Sequence, residues 1–379
     1  MNVKVITRHG PSNYGSLLQS IATIRTVERL GHECEIIDYM RDDERGLGCI
    51  ITELNSKPGW NGNLLKRALY IAIRYPIMML AQKRFDRYRK KYLKLTPRVS
   101  THQELAQLSA DAFITGSDQV WGPIGADDYD TAYLLDFVTE GKKVAYAASF
   151  GHTTFNEKTQ EAFRRLLPLY HSLAVRENHA VDIVKDFVDK EPAQVLDPTL
   201  LLTASEWMDY VQSDDEAPQE KYILVYQIHN NPQLDVYASR LSETTGLPLY
   251  RMSPYLHQRS RGGKFIFLPT IGKFIMMIKH AAVMVTDSFH GTAFAINLNT
   301  PFVEILPGNG TNSRNQSILR LTGLQNRIVT DYNDFAMPLR PIDFNPVNAI
   351  IAAERKKSIR YLAEALGDAD DCVKATVNN

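Results

Sequence analysis

Residues 281–306 contain the pattern that most restricts how this chain can fold. The short apolar run at 281–285 is typical of a strand buried in a parallel sheet. A polar corner follows it, and small and apolar residues then predict a helix that ends at Thr300-Pro301. The successive parts are the corner at 286–291, the helix at 292–298 and a second strand at 302–306. This unit predicts an α/β fold built on parallel strands.

The corner has the chemistry of an anion-binding site. In such a unit the first N–H groups of the helix lie at the carboxyl edge of the sheet, where the helix dipole favours negative charge. Gly291 lets a ligand approach the backbone closely, and His290 can be cationic or can exchange protons near neutral pH. Ser288 and Thr292 add hydroxyl groups for substrate contact. The alternative is a plain helix N-cap with a solvent-facing histidine, and the corner alone does not decide between the two.

Strands alternate with helices in both halves of the chain, which predicts two doubly wound Rossmann-like domains that face a cleft. We expect an N-terminal domain at 1–200 and a C-terminal domain at 201–344 that carries the corner. A terminal helix and tail at 345–379, with Asn345 as N-cap, is expected to cross back to the first domain. The predicted strands are 3–7, 33–39, 110–115, 144–149 and 173–175, then 222–227, 247–252, 265–268, 281–285 and 302–306.

Polar residues that follow the strands of the first domain are further candidates for ligand binding, because the carboxyl ends of parallel strands share one edge of a sheet. Asp118 lies in a Gly-Ser loop, where its carboxylate could accept the proton of a sugar hydroxyl. Arg176 offers a planar fork for a carboxylate or phosphate. The structural alternatives are an Asx-turn for Asp118 and an ion pair with Glu177 for Arg176. The other candidates for substrate contact are Asn13, Tyr14, Gly15, Ser117, Gln119, Trp121 and Ser149.

The first of these loops, at residues 8–15, follows the first strand of a strand-helix-strand unit and so faces the ligand crevice. It lacks the GxGxxG spacing, so the sequence does not indicate a dinucleotide. Asn13, Tyr14 and Gly15 are either substrate contacts or a turn in which Asn and Gly supply unusual backbone angles.

Residues 64–95 combine basic and apolar side chains. They hold ten Lys or Arg and a single acid, Asp86, interleaved with Leu, Ile, Met and Tyr. We predict two helices split near Pro76, preceded by a loop at 40–60. This composition is typical of an interfacial helix that contacts anionic lipid, and a capping hairpin with a solvated basic face is the alternative.

Composition excludes several classes of protein. The 43 basic and 43 acidic residues cancel, so the overall charge does not indicate nucleic-acid binding. Cys34, Cys49 and Cys372 are odd in number and widely spaced, which predicts neither disulfides nor a metal site and fits the cytoplasm. The first residues already form a strand, so we expect no signal peptide, and no apolar run is long enough for a spanning helix.

Six motifs in order resemble the polysaccharide pyruvyl transferase family over about residues 10–330. They are 13–15 with Leu18-Gln19, 113–121, 145–151, 175–177, 196–200 and the corner with its helix and Pro301-Phe302. The resemblance implies a glycosyltransferase-B-like fold with the active site in the interdomain cleft. It also implies transfer of the enolpyruvyl group of phosphoenolpyruvate to two hydroxyls of a capsule or exopolysaccharide repeat unit, as a ketal. The donor is a substrate, and neither a cofactor nor a metal is implied.

The same resemblance suggests roles for individual residues. His290 would exchange protons, Asp118 would orient or deprotonate the acceptor, and Arg176 and Arg314 would bind the anionic donor. The acceptor sugar would be lipid-linked, which adds a reason for peripheral contact with the inner face of the membrane.

One departure leaves alternatives open. Some members place an Arg two residues before the corner His, where this chain has Ser288, so Arg314 or Arg251 replaces that guanidinium or the donor differs. A nucleotide-sugar-dependent glycosyltransferase would share the fold, with Glu304 as a weak candidate to hold the ribose. A non-catalytic carbohydrate-binding protein would explain the basic segment without chemistry.

Overall fold

The computed structural model describes residues 1–55, 57–123, 129–308 and 312–368. The chain divides into two compact units. The first unit contains residues 1–198 together with the chain from Lys356 onward, and the second contains Thr199–Arg355.

The first unit is built on a parallel six-stranded sheet. Its strands are β1 (Asn2–Ile6), β2 (Glu33–Ile36), β3 (Ala112–Thr115), β4 (Lys142–Ala148), β5 (Ser172–Val175) and β6 (Ala193–Gln194), in the order β2-β1-β3-β4-β5-β6. The α-helices of this part of the chain are α1 (Tyr14–Arg29), α2 (Gly46–Asn55), α3 (Pro58–Asn61), α4 (Leu64–Tyr92), α5 (His102–Leu105), α6 (Glu157–Leu166) and α7 (Asn178–Lys185). Buried aromatic side chains, including Phe113, Trp121 and Phe163, pack in its core.

The second unit is built on a parallel five-stranded sheet. Its strands are β7 (Ile223–Tyr226), β8 (Leu249–Ser253), β9 (Lys264–Phe267), β10 (Val283–Thr286) and β11 (Phe302–Glu304), in the order β11-β10-β7-β8-β9. The helices are α8 (Ala204–Met208), α9 (Pro232–Thr245), α10 (Ile271–Lys279), α11 (Phe289–Asn297), α12 (Asn312–Leu321) and α13 (Phe344–Leu366), the last of which continues into the first unit at Lys356. Strands β7 and β10 are fully buried, as their continuous apolar runs predict.

Strand order places a topological switch point in each sheet. In the first unit the connections leave in opposite directions on either side of β1, so the crevice lies at the carboxyl ends of β1 and β3. In the second unit the same reversal lies between β7 and β10. Ligands of doubly wound sheets bind at such points. The Asp118 loop follows β3 and the corner at 286–291 follows β10, so both candidate sites lie at switch points.

Two predictions for residues 40–95 are wrong. The expected loop at 40–60 contains α2 and α3, and the expected pair of helices is the single helix α4, which continues through Pro76. A proline within a helix removes a hydrogen bond and pushes on the carbonyl four residues earlier, here that of Ala72. Both residues are exposed, so water can bind that carbonyl and the helix is not broken.

Three helix starts also differ from the prediction. Helix α11 begins at Phe289, three residues earlier than expected, so His290 and Gly291 lie on its first turn. Helix α12 begins at Asn312, so Arg314 lies on a helix and not in a loop; residues 309–311 of that predicted loop lie outside the described residues. Helix α13 begins at Phe344, and Asp343 Oδ1 accepts the N–H of Asn345 at 3.0 Å. The capping side chain is therefore Asp343, because an aspartate two residues before a free N–H caps it as well as an asparagine does.

Candidate functional site

The corner of the second unit is held by Asp287 and Thr286. Asp287 is fully buried, and its carboxylate accepts the N–H of Ile228 at 2.8 Å and that of His229 at 3.1 Å. Thr286 Oγ1 donates to Tyr226 O at 2.7 Å. These bonds join the end of β10 to the end of β7, so Asp287 fixes the switch point and does not face a ligand.

The first turn of α11 requires glycine. Ser288 is the N-cap, and its Oγ accepts the N–H of Gly291 at 3.2 Å. A Cβ on Gly291 would lie 2.6 Å from Thr286 Oγ1 and 3.0 Å from the Tyr226 ring. Glycine is therefore needed for the close packing of α11 on the sheet. The Ser288 side chain binds the N–H of Gly291, a backbone group that the sequence analysis expected to face a ligand.

Two histidines lie at the carboxyl edge of this sheet. His290 is on the first turn of α11, nearly buried, with its ring 5.3 Å from that of Phe289. His229 follows β7, is partly exposed, and places Nδ1 3.6 Å from Asp287 Oδ2. Sequence reasoning missed His229, although its place just after a buried strand was a usable signal. An imidazole on a helix N-terminus and one beside a carboxylate can both take part in proton exchange.

Behind the corner lies a buried carboxyl group, that of Glu304 on β11. Thr292 Oγ1 donates to one of its oxygens and Asn315 Nδ2 donates to the other. Burial raises the pKa of Glu304 to about 8, an effect that these two hydrogen bonds and the charge of Arg314 only partly offset. Glu304 therefore links β11 to α11 and α12, close to Arg314. The Thr292 hydroxyl is used for this link and not for substrate contact.

The two arginines considered as replacements for the missing guanidinium differ. Arg251 is fully buried and donates to Gln227 Oε1 at 2.8 Å and to Asp235 Oδ1 at 2.7 Å, which fixes it within the sheet. Arg314 is also nearly buried, but it lies on the first turn of α12 beside Glu304, at the carboxyl edge of the sheet. Of the two, Arg314 is better placed to reach an anion at the corner.

In the first unit, Asp118 lies at the switch point in a strained conformation. Its φ is 79°, in the left-handed region that few non-glycine residues adopt. Its Oδ2 accepts from Ser16 Oγ at 2.6 Å and its Oδ1 from the N–H of Gln119 at 2.8 Å. The carboxylate is mostly buried, and these bonds fix its direction at the carboxyl edge of the sheet.

Arg176 lies in a buried cluster of acidic groups. Its guanidinium is 2.9 Å from Asp197 Oδ2, 3.5 Å from Glu177 Oε2 and 3.7 Å from Asp118 Oδ1. Burial alone would lower the pKa of Arg176, and these carboxylates raise it instead. The side chain has no exposed surface, and this favours the structural alternative over direct contact with a donor.

Several other predicted residues build the same edge. Ser117 Oγ donates to Asp197 Oδ2 at 2.8 Å, and Ser149 Oγ donates to Glu177 Oε1 at 2.7 Å. Asn13 caps α1 by accepting the N–H of Gly15.

The three remaining predicted residues contact neighbouring side chains or backbone. Tyr14 packs edge-on against Phe85, and Gln119 packs against Gly151. Trp121 is a core residue whose Nε1 donates to Tyr133 O. Asn13 and Gln119 keep some exposure, whereas Tyr14 and Trp121 are fully buried.

Sequence reasoning also missed a polar group at the end of β1. Arg8 Nε donates to Glu44 Oε1 at 2.7 Å, and the charges of Glu44 and Asp118 raise the pKa of Arg8 although burial alone would lower it. Glu44 Oε2, Tyr133 Oη and Ser12 Oγ are buried and make no hydrogen bond within the protein. Buried polar atoms of this kind normally find a partner, so the group is suited to binding hydroxyls. Position after a strand end was the available signal for Arg8 and for Ser12, which lies in the same loop, whereas Glu44 and Tyr133 come from distant segments.

Within the described ranges, no group of three or more His, Cys, Asp or Glu side chains is placed to hold a metal ion.

Comparison with solved structures identifies the fold. The UDP-N-acetylglucosamine 2-epimerase of Rickettsia bellii matches with a TM-score of 0.54 and 12% identity, covering 97% of each chain. S. aureus MnaA, solved with UDP, matches with a TM-score of 0.50 and 11% identity, covering 100% of this chain and 95% of that one. The Neisseria meningitidis UDP-GlcNAc 2-epimerase also gives 0.50, at 13% identity, covering 96% of this chain and 100% of that one. The glycosyltransferase-B-like α/β fold class predicted from the sequence is confirmed.

Sequence comparison identifies the family. No curated protein sequence matches the chain. A sequence model described as polysaccharide pyruvyl transferase matches residues 13–307, a span that holds both the Asp118 loop and the corner of the second unit. This protein therefore belongs to the polysaccharide pyruvyl transferase family.

Proposed function

We propose that this protein transfers the enolpyruvyl group of phosphoenolpyruvate to two hydroxyls of a saccharide, forming a pyruvate ketal. The observation that carries the proposal is His290 on the first turn of α11, at the switch point of the second sheet and inside the family match. The acceptor is a sugar of a capsule or exopolysaccharide repeat unit, lipid-linked and modified on the cytoplasmic side.

The donor carries a carboxylate and a phosphate, so its site must supply positive charge. The N-terminus of α11 has a partial positive charge, and Arg314 brings a guanidinium to the same edge. His290 and Arg314 therefore form the core of the proposed donor site. Some family members have an arginine at the position of Ser288. In this protein Arg314 would supply the positive charge of that arginine.

The reaction balances with protons alone. One acceptor hydroxyl adds to C2 of the donor while the C3 methylene gains a proton and becomes a methyl group. The second hydroxyl then displaces phosphate from C2, and its proton leaves with the phosphate. A group that can give and take a proton near neutral pH serves both steps, and we assign this to His290, with His229 as a second candidate.

On the acceptor side we assign Asp118 to the sugar. Its carboxylate has a fixed direction at the switch point of the first sheet and keeps some exposure, as a group that orients or deprotonates a hydroxyl should. Arg176, which is buried against Asp118, Glu177 and Asp197, is then a positioning residue and not a donor ligand.

The alternative of a nucleotide-sugar glycosyltransferase is less well supported. It needs an accessible carboxylate in the second unit to hold the ribose, and Glu304 has no exposed surface and both oxygens bound by Thr292 and Asn315. Likeness to UDP-binding structures at 11–13% identity concerns the fold alone.

Phosphate release from phosphoenolpyruvate, with a panel of lipid-linked and nitrophenyl glycosides, tests the proposal. We expect release that depends on one acceptor and yields a product heavier than that acceptor by a pyruvate ketal, detected by mass spectrometry. Transfer from a UDP-sugar, with no phosphate released from phosphoenolpyruvate, would contradict it.

A further inference from the structure

The apolar surface of the protein is concentrated on one segment. Among the described residues, thirteen large hydrophobic side chains are exposed, and nine of them lie between residues 47 and 80. They are Leu47, Ile51, Trp60, Leu64, Leu65, Leu69, Ile73, Tyr75 and Leu80. Single exposed leucines are ordinary on a protein surface, but a contiguous apolar patch marks an interaction site.

Within α4, apolar side chains form a stripe along one face, and basic side chains continue that stripe toward the end of the helix. Leu65, Leu69, Ile73, Pro76 and Leu80 follow one another at intervals of three or four residues and share one face of the helix. Lys83, Arg87 and Lys90 continue the same spacing on α4 and are also exposed. The opposite face is buried through Tyr70, Ala81, Phe85 and Arg89. One outward face is thus apolar over its first 20 Å or so and basic over the rest.

The charge of this region is unlike that of the rest of the chain. Residues 46–95 contain eleven Lys or Arg and two acidic residues, whereas the whole chain is neutral. Arg74 and Arg45 neutralise Glu53 and Asp86 at their contacts within the protein. The outward face therefore presents almost only positive charge beside its apolar stripe.

We propose that α2, α3 and α4 form a docking surface for an anionic lipid bilayer. The exposed leucines would enter the interface between headgroups and acyl chains while the lysines and arginines contact anionic headgroups. Trp60 and Tyr75 add amphipathic rings, which favour that depth. In the part of the chain that the structure describes, no helix is long and apolar enough to cross a membrane, so binding would be peripheral.

The observations favour lipid over a second copy of this chain. Self-association through this face would bring two strongly basic segments together, and like charges repel. Leu64 and Leu65 are 83% and 80% exposed, so they protrude instead of lining a groove that a partner helix could fill. Protruding apolar side chains next to basic ones match a soft, negatively charged surface.

Flotation of the full-length protein with vesicles tests the proposal. We expect binding to phosphatidylcholine vesicles that contain about one-third phosphatidylglycerol at low salt, weaker binding at high salt, and little with phosphatidylcholine alone. Each basic contact is worth about fivefold in affinity, so K83Q/R87Q/K90Q should bind on the order of 100-fold more weakly. L64S/L65S/L69S should lose at least tenfold, because three exposed leucines no longer enter the interface.

The controls change residues of the same chemical type that are also exposed but lie elsewhere. L169S/V236S/L339S changes three exposed apolar residues and K190Q/K221Q/K279Q changes three exposed lysines, all outside the surface. Neither should alter vesicle binding. If the wild-type protein stays unbound with anionic vesicles at low salt, or if the control triples lose as much binding as the test triples, the proposal is wrong.

Two further measurements separate this inference from other outcomes. Sedimentation of the wild-type protein as a dimer that L64S/L65S/L69S converts to a monomer would make the face a self-interface and overturn the proposal. The inference is independent of the proposed reaction, because the triple variants should keep wild-type turnover with a nitrophenyl glycoside in the absence of vesicles.

Discussion

At the scale of single residues, His290 is the side chain on which the proposed chemistry depends most. We expect His290→Ala to lower phosphoenolpyruvate-dependent phosphate release by two or more orders of magnitude, the usual effect of losing acid–base assistance. Because the side chain is nearly buried, the melting temperature is measured as well, and the loss of activity should far exceed any loss of folded protein at the assay temperature. His280→Ala, at an exposed histidine after α10, is the control and should be fully active. Wild-type activity of His290→Ala would remove His290 from the mechanism.

Glu304 predicts an unusual dependence of stability on pH. Its pKa is raised to about 8 by burial, so the folded protein holds a proton that the unfolded chain releases near pH 4.5. The stability contributed by this group is thus highest at low pH and falls as the pH rises to about 8, by up to about 1.4 kcal/mol per pH unit.

Glu304→Gln imitates the protonated acid. Its amide nitrogen can donate to Thr292 Oγ1 while its carbonyl accepts from Asn315 Nδ2, the pair of contacts that a protonated Glu304 would make. We measure the free energy of unfolding of both proteins in denaturant at pH 5 and at pH 9. The difference between variant and wild type should shift in favour of the variant as the pH rises. A difference that is the same at both pH values would contradict the raised pKa.

Arg176 can be tested by rescue. Arg176→Met leaves buried carboxylates without their cation and should lower the free energy of unfolding by about 3–5 kcal/mol. Adding Asp197→Asn removes one of those charges and should restore part of the loss, whereas Asp197→Asn alone should destabilise. A variant with unchanged stability and a raised KM for phosphoenolpyruvate alone would instead support direct contact with the donor.

At the scale of elements, the packing of α11 on its sheet depends on Gly291. Gly291→Ala would place a methyl group 2.6 Å from Thr286 Oγ1, so the first turn of α11 must shift at a cost of about 1–3 kcal/mol. Activity should fall with stability because His290 is on that turn. Gly59→Ala, in a helix with open space around it, is the matched control. It should change the free energy of unfolding by no more than a few tenths of a kcal/mol and leave activity unchanged. An equally stable and active Gly291→Ala protein would show that α11 can move freely.

Sequence pattern was sufficient for the elements that build the two switch points. Strands β1, β3, β7 and β10 lie within two residues of their predicted limits, because a buried parallel strand is a short, unbroken apolar run. The continuity of α4 was not predictable in the same way. A proline normally ends a helix, and only the exposure of the surrounding turn explains why this one does not.

The sequence predicted where the site residues lie relative to the strands, but not which side chains surround them. Arg176 was correctly expected at a strand end, but its neighbours Asp118 and Asp197 come from other loops, and only the fold brings their carboxylates to it. The same holds for Glu304, whose partners lie on α11 and α12. Local sequence shows which group is present, and tertiary contacts decide whether it is available to a ligand.

At the scale of the whole molecule, the first unit includes the chain from Lys356 onward. Ser358 Oγ accepts the N–H of Leu196 at 2.9 Å, Lys142 Nζ donates to Leu366 O, and Leu362 is buried. The final turns of α13 therefore cover apolar surface of a unit whose other residues end at Pro198. We therefore expect folding of that unit to depend on the end of the chain, since contacts between distant segments form slowly.

Truncation tests this dependence. A chain that stops after Arg355 would leave the apolar surface of the first unit exposed, and we expect it to be rapidly degraded by protease in the first 200 residues. A chain that stops after Asp368 keeps the described contacts of α13 and should resist protease like the full-length protein. Leu362→Ala is the milder version: losing a buried leucine should cost about 2–5 kcal/mol, measured by denaturant unfolding. Protease resistance of the first 200 residues in the shorter chain would show that this unit folds without α13.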